Sequence, residues 1–310
     1  MISEIRIVTL GVQDINRSVK FYNDAFQFVE KGRGTIDTKE LGKAWRIPAG
    51  LKGTCAVIGP QGIDAGVLRL VQFDKPGERI WGDYSRKQDL GHYAVNFRAK
   101  DIKKLWPQLL KLGAIEKSPP TFWTINEQLS AWDSMCFDPD GVLLDIFQVE
   151  GNAKEALGEQ RVEVSEVQTM AIHVSDALRS KAFYEGLEFS ILYEKVVENM
   201  ESFFGLPQGT KLHNVNLMKH GTSPNGRIEL AQYVGYPGKP VGDRAVPPNL
   251  GVLSISFETD NLDETGRLVK KLGAQEISVP VIVLMPPFGK VKLATYFGLD
   301  KEVLEFYQRL

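Results

Sequence analysis

The chain repeats itself. A shift of 160 residues lays Asp89-Leu-Gly-His-Tyr-Ala-Val-Asn-Phe97 over Asn249-Leu-Gly-Val-Leu-Ser-Ile-Ser-Phe257, and Lys111-Leu-Gly-Ala-Ile-Glu116 over Lys271-Leu-Gly-Ala-Gln-Glu276. The same shift sets Gln72-Phe73 on Gln232-Tyr233 and Leu144-Asp145 on Leu304-Glu305. A register held over so long a stretch means a duplicated domain, so both copies must solve one folding problem with one pattern. Function then has to be sought where the copies differ.

Each copy divides again. Ile5-Arg-Ile-Val-Thr-Leu-Gly-Val12 alternates as a half-buried strand, Asp14 is a helix N-cap, and Ile15, Val19, Tyr22 and Phe26 mark one helical stripe. Extended stretches follow at 43–47, 54–58 and 66–73, giving β-α-β-β-β. The scheme restarts at Tyr93, with a helix from Asp101, and closes through the turn Asp138-Pro-Asp-Gly141 into a last strand. It restarts once more at Thr169, with a helix from Asp176, and again at Ser254. The expected architecture is α+β: four βαβββ modules in two tandem domains, 1–150 and 165–310, with 151–164 as a linker.

Bulk properties narrow the function classes. With 310 residues there is room for two ordinary cores, and 43% hydrophobic content with a net charge of -2 gives no general attraction to nucleic acid or acidic membranes. No apolar run reaches the roughly 18 residues of a membrane span, and the opening residues lack the pattern of a signal peptide, so a cytoplasmic protein is expected. Cys55 and Cys136 stand alone without a Cys-x-x-Cys, which argues against thiolate zinc or a redox pair. Phosphate loops and basic patches are absent.

Val12-Gln-Asp-Ile-Asn-Arg-Ser-Val-Lys-Phe-Tyr22, Val174-Ser-Asp-Ala-Leu-Arg-Ser-Lys-Ala-Phe-Tyr184 and Asp138-Pro-Asp-Gly-Val-Leu-Leu-Asp145 resemble segments of the glyoxalase, bleomycin-resistance and extradiol-dioxygenase group, the vicinal oxygen chelate superfamily. The resemblance implies curved, cup-shaped mixed sheets, each cup made by a pair of modules. It also implies metal-ligand positions at the start of the first strand and the middle of the last strand of each module. The strand-start positions are Ile7, Ala94, Thr169 and Ser254, none of them an imidazole. The strand-middle positions are Arg69 and Asp145 in the first domain, expected to pair across its cup, and Glu229 and Glu305 in the second.

A guanidinium repels a cation, so no metal is expected in the first domain; the oxygen set at Glu229 and Glu305 could hold Mg2+ or Ca2+ only with water or substrate completing the shell. No cofactor is therefore expected. Glu305, Glu229 and His173 are the catalytic candidates, because two carboxylates and an imidazole facing one cavity could move a proton. Thr169, Ser254, Trp123, Trp132, Phe204, Arg69, Asp145 and His92 are the candidates for contact with substrate. The expected partner is a hydrophobic, oxygen-bearing small molecule, with no nucleic acid and no membrane, and pairing into a homodimer is left open. A metal-independent lyase, isomerase or cyclase is the leading expectation, beside a non-catalytic binding or resistance protein and a metal-dependent lyase or dioxygenase.

Overall fold

The computed structural model describes residues 1–126, 129–151, 160–198, 201, 205–221 and 224–310, and for 125, 126 and 129 only the backbone. The candidate Phe204 and most of the expected linker lie outside the described residues.

Module 1 comprises β1 (Ile2–Gly11), α1 (Ile15–Phe26), β2 (Val29–Ile36), a one-turn helix α2 (Leu41–Ala44), β3 (Gly53–Gly59) and β4 (Val67–Phe73). Module 2 follows with β5 (Gly91–Arg98), α3 (Ile102–Lys111), β6 (Ile115–Asn126), β7 (Leu129–Phe137) and β8 (Leu143–Glu150). Module 3 has β9 (Thr169–His173), α4 (Ala177–Gly186), β10 (Phe189–Val197), β11 (Lys211–Lys219) and β12 (Arg227–Val234). Module 4 has β13 (Gly251–Thr259), α5 (Leu262–Lys271), the short β14 (Gln275–Glu276) and β15 (Val281–Met285), β16 (Gly289–Phe297) and β17 (Val303–Arg309). Asp14, Asp101, Asp176 and Asn261 cap the four long helices by accepting backbone N–H groups of the first turn. Each such cap satisfies donors that the helix leaves orphaned and contributes about 1 kcal/mol.

Which modules share a sheet corrects the expectation. One sheet runs β14-β16-β17-β13-β1-β4-β3-β2 and the other β10-β11-β12-β9-β5-β8-β7-β6. The outer modules 1 and 4 therefore build one cup, here cup A, through the antiparallel pair β1/β13, and the inner modules 2 and 3 build cup B through β5/β9. Consecutive modules are joined back to back. Tyr22 Oη donates to Asp138 at 2.8 Å and Ser18 Oγ to Asp140 at 2.6 Å, so the Asp138-Pro-Asp-Gly turn docks α1 as well as reversing the chain. Asp300 and Glu302 do the same for α4, accepting from Ser175 and Tyr184. A first strand already paired with its own last strand has one free edge, and the first strand of the module diagonally opposite supplies the partner.

One core fills the space behind both sheets. It takes residues from all four modules, among them Phe26, Phe97, Phe189 and Phe257. The Phe26 and Phe97 rings meet at 5.0 Å, joining module 1 to module 2, and Phe189 meets Phe257 at 6.0 Å, joining module 3 to module 4. Loss of one such ring costs about 3–5 kcal/mol. The sheets also touch through backbone: Ile5 N–H donates to the Gly226 carbonyl at 3.0 Å, and a Cβ on Gly226 would lie 2.8 Å from the Ile5 oxygen. That approach, with φ at +74°, requires glycine. Among the described residues no helix is long and apolar enough to cross a membrane.

Candidate functional site

In each module the parallel pairing of first and last strands places two inward-facing side chains side by side. The registers are Thr9 with Arg69, Asn96 with Asp145, Ala171 with Glu229 and Ser256 with Glu305. The strand-middle positions are those expected, whereas their first-strand neighbours lie two residues beyond Ile7, Ala94, Thr169 and Ser254. A slip of two keeps the face and changes the neighbour, which periodicity cannot detect.

In cup A, Arg69 pairs with Glu305 and not with Asp145, because modules 1 and 4 share this sheet. Arg69 Nη2 lies 2.7 Å from Glu305 Oε1, with side-chain exposures of 2% and 0%. The remaining valences are filled: Arg69 donates to Thr9 Oγ1 and toward Met285 Sδ, while Glu305 accepts from Ser256 Oγ and Trp45 Nε1, each at 2.7 Å. Trp45 covers the guanidinium at 4.6 Å. Around this pair the lining is aliphatic: Ile7, Val57, Val71 and Leu293. Glu305 and Glu229 do not face each other, and every oxygen of Glu305 is engaged.

Cup B places acid opposite acid. Glu229 Oε2 accepts from Asn96 Nδ2 at 3.0 Å and Oε1 from Asn214 Nδ2 at 2.6 Å. Asp145 is hydrogen-bonded to Asp133 of β7, so this carboxyl pair shares a proton. Burial first, then repulsion from Asp133, raises Asp145 well above the carboxylate range; burial likewise raises Asp133 and Glu229. Lys117 Nζ of β6 donates to Tyr93 Oη at 3.0 Å, and burial, then the charge of Lys87, brings the amine down to about 8. Asn96, Asn214 and Asn216 are buried, each with an Oδ1 that has no hydrogen-bond partner, as have Asp133 and Asp145. An unsatisfied buried acceptor costs about 1–3 kcal/mol, and natural proteins rarely gather several without a use for them.

The other candidates scatter. His173 stacks on Tyr93 at 3.7 Å in cup B, beside a cleft lined by Gln88, Ala231, Tyr233 and Tyr236, and burial, then Lys117, pushes its imidazole down to about 3. It is neutral at physiological pH, with its ring N–H directed at the backbone of Lys87 and Asp89 and Nδ1 without a partner. His92 bonds through Nε2 to the Val303 carbonyl and is held near 4 by burial. Thr169 donates to Gln168, and Ser254 is buried on β13 opposite Thr9. Trp132 turns away from the cup, packing on Phe122 and under Lys103, as alternation with inward Asp133 requires. Trp123 pairs in register with Ala131 and so keeps the face of Asp133. Sequence reasoning missed Lys117, Asp133, Asn214 and Asn216. The repeat contained the signal for two of them, because the shift of 160 matches Lys117 with Ile277 and Asp133 with Leu293.

The divalent ion implied by the resemblance fits neither cup well. Cup A offers a guanidinium already bound to its carboxylate. In cup B the Glu229 oxygens take amide donors and the two aspartates take each other, and among the described residues no group of three or more His, Cys, Asp or Glu is arranged to hold a metal.

Comparison with known proteins agrees with this architecture. The family model for the Glyoxalase/Bleomycin resistance protein/Dioxygenase superfamily matches residues 4–146. Glyoxalase I from Zea mays superposes with a TM-score of 0.65 at 15% identity, over 99% of this chain and 92% of that one. A putative dioxygenase from Bacillus subtilis superposes at 0.58 with 12% identity, over 99% and 86%. Among curated proteins none matches in sequence. Residues 4–146 thus match this superfamily's model in sequence, and the chain as a whole shares the fold of glyoxalase I.

Proposed function

We propose that cup B is the working site of a metal-independent lyase or isomerase acting on an oxygen-bearing small molecule, with Glu229 and the Asp133–Asp145 pair moving the proton. One observation carries this reading: both ligand-position carboxyls of cup B are half-buried, raised above the ordinary carboxylate range chiefly by desolvation, and accompanied by buried amide oxygens that have no partner. A carboxyl raised toward neutrality can take or give a proton under physiological conditions, which an ordinary surface aspartate does poorly. Cup A, closed by Arg69–Glu305, serves as the structural counterpart. Cytoplasmic location and the absence of a nucleic-acid partner are part of the same reading, supported by the near-neutral charge.

The test is proton exchange at carbon. Hydroxyacetone and larger hydroxylated ketones are incubated with the protein in D2O, and loss of the proton beside the carbonyl is followed by NMR. Exchange that survives chelators and falls about 100-fold in Glu229→Gln supports the reading. Tight binding with every compound recovered unaltered would make this a carrier or resistance protein, and exchange abolished by chelators would restore the metal.

A further inference from the structure

We propose that Lys117 is a covalent catalyst that condenses with the carbonyl group of a hydroxylated aldehyde or ketone to form an imine, an inference resting on cup B as the working site. Lys117 stands on the strand next to Asp133, and its counterpart in cup A is Ile277, which packs against that cup's apolar lining. Its Nζ touches a phenol and a thioether, Tyr93 Oη at 3.0 Å and Met135 Sδ at 3.6 Å, and lies 5.3 Å from the Tyr93 ring centre. Among the described residues no carboxylate ion-pairs with it. A half-buried lysine held by such weak acceptors keeps its lone pair within reach of reaction.

The charged groups facing the amine are Lys87, Asp133 and Asp145, and the net effect with burial is a group near 8. At pH 7 about one such amine in ten is neutral, against fewer than about one in a thousand for an ordinary lysine. The unpartnered oxygens of Asn96, Asn214 and Asn216 select the substrate class, because they can only accept, and hydroxyl groups beside the carbonyl would donate to them.

The step balances without a co-reactant. Neutral Nζ attacks the carbonyl carbon, a C–N bond forms, and the C=O π pair moves to oxygen, which takes the proton shared by Asp133 and Asp145. Nζ then returns a proton to that pair, which hands it to the departing hydroxyl as the nitrogen lone pair expels water, so amine, carbonyl and the pair's proton give a protonated imine, water and the ionised pair. When Glu229 removes a proton from the adjacent carbon, the protonated imine receives the electron pair. Hydrolysis restores the amine.

The test uses the full chain, hydroxyacetone and cyanoborohydride, with intact mass and peptide mapping as readout. One equivalent should be fixed at Lys117, about tenfold faster than at any other lysine, and the gain should vanish in folded Lys117→Met. Labelling spread over surface lysines, or undiminished in Lys117→Met, overturns the imine. The two readings separate through Glu229→Gln: trapping kept and deuterium exchange lost supports both. Exchange by the wild type without trapping removes only the imine, and trapping with wild-type exchange in Glu229→Gln removes only the role of Glu229.

Discussion

Cups A and B occupy equivalent places in the repeat, yet they resolve one electrostatic problem in opposite ways. Position 69 and position 229 correspond, as do 145 and 305, so cup A holds Arg69 against Glu305 where cup B holds Glu229 and Asp145. Opposite charges collapse into a closed pair. Like groups cannot, and must be kept apart by amides, share protons or stay neutral. The registers extend the contrast: Val57, Cys55 and Leu293 in cup A stand where cup B has Asn216, Asn214 and Asp133. Duplication supplied two equal cups, and one became core while the other kept unsatisfied polar groups.

The contrast can be broken most directly in cup A. Arg69→Met leaves Glu305 buried without its cation and should cost about 3–5 kcal/mol in urea unfolding. Arg69→Met with Glu305→Met should recover most of that loss, since the surroundings are already aliphatic. If the double variant is as unstable as the single one, the pair is more than a structural plug.

In cup B the expected signs reverse. Glu229→Gln should reduce exchange by about two orders of magnitude, near 3 kcal/mol of barrier, without lowering the melting temperature. Asp145→Asn removes a half-buried group whose ionisation is disfavoured by desolvation and by Asp133, and should raise stability at pH 8 by about 1 kcal/mol. A fall in stability would mean that the carboxyl pair is needed for folding rather than for a ligand.

The smallest effect lies outside both cups. Asp138 and Glu302, which dock α1 and α4, are raised to about 7, in each case chiefly by burial. For a group raised in the folded state, its stabilising contribution is complete below its ordinary value and declines as pH rises through the folded one. Stability should therefore slope downward between about pH 4 and 7, and Asp138→Asn should flatten part of that slope in pH-dependent thermal unfolding.

Much of the fold was legible. Four capped helices, the four-module count and the strand-middle positions 69, 145, 229 and 305 follow from local periodicity and from the repeat, both of which are properties of neighbouring residues. The candidate site was legible only in part. Asp145, Glu229 and His173 do meet in cup B, but Glu305 was grouped with Glu229 because both belong to the second repeat, and Trp132 faces away from the cup. The slip from Ala94 to Asn96, and from Ser254 to Ser256, escaped because alternation identifies a face and not a height along it.

By itself the sequence determined that this chain is a duplicated βαβββ protein whose copies differ in charge at their ligand positions. Only the tertiary structure decided which of those positions meet, because a βαβββ module has a free first-strand edge that any other module can cover, and local pattern does not say which. Covering β1 with β13 and β5 with β9 sent Arg69 to Glu305 and left Asp145 with Glu229. The closed cup and the polar cup both follow from that choice of neighbour.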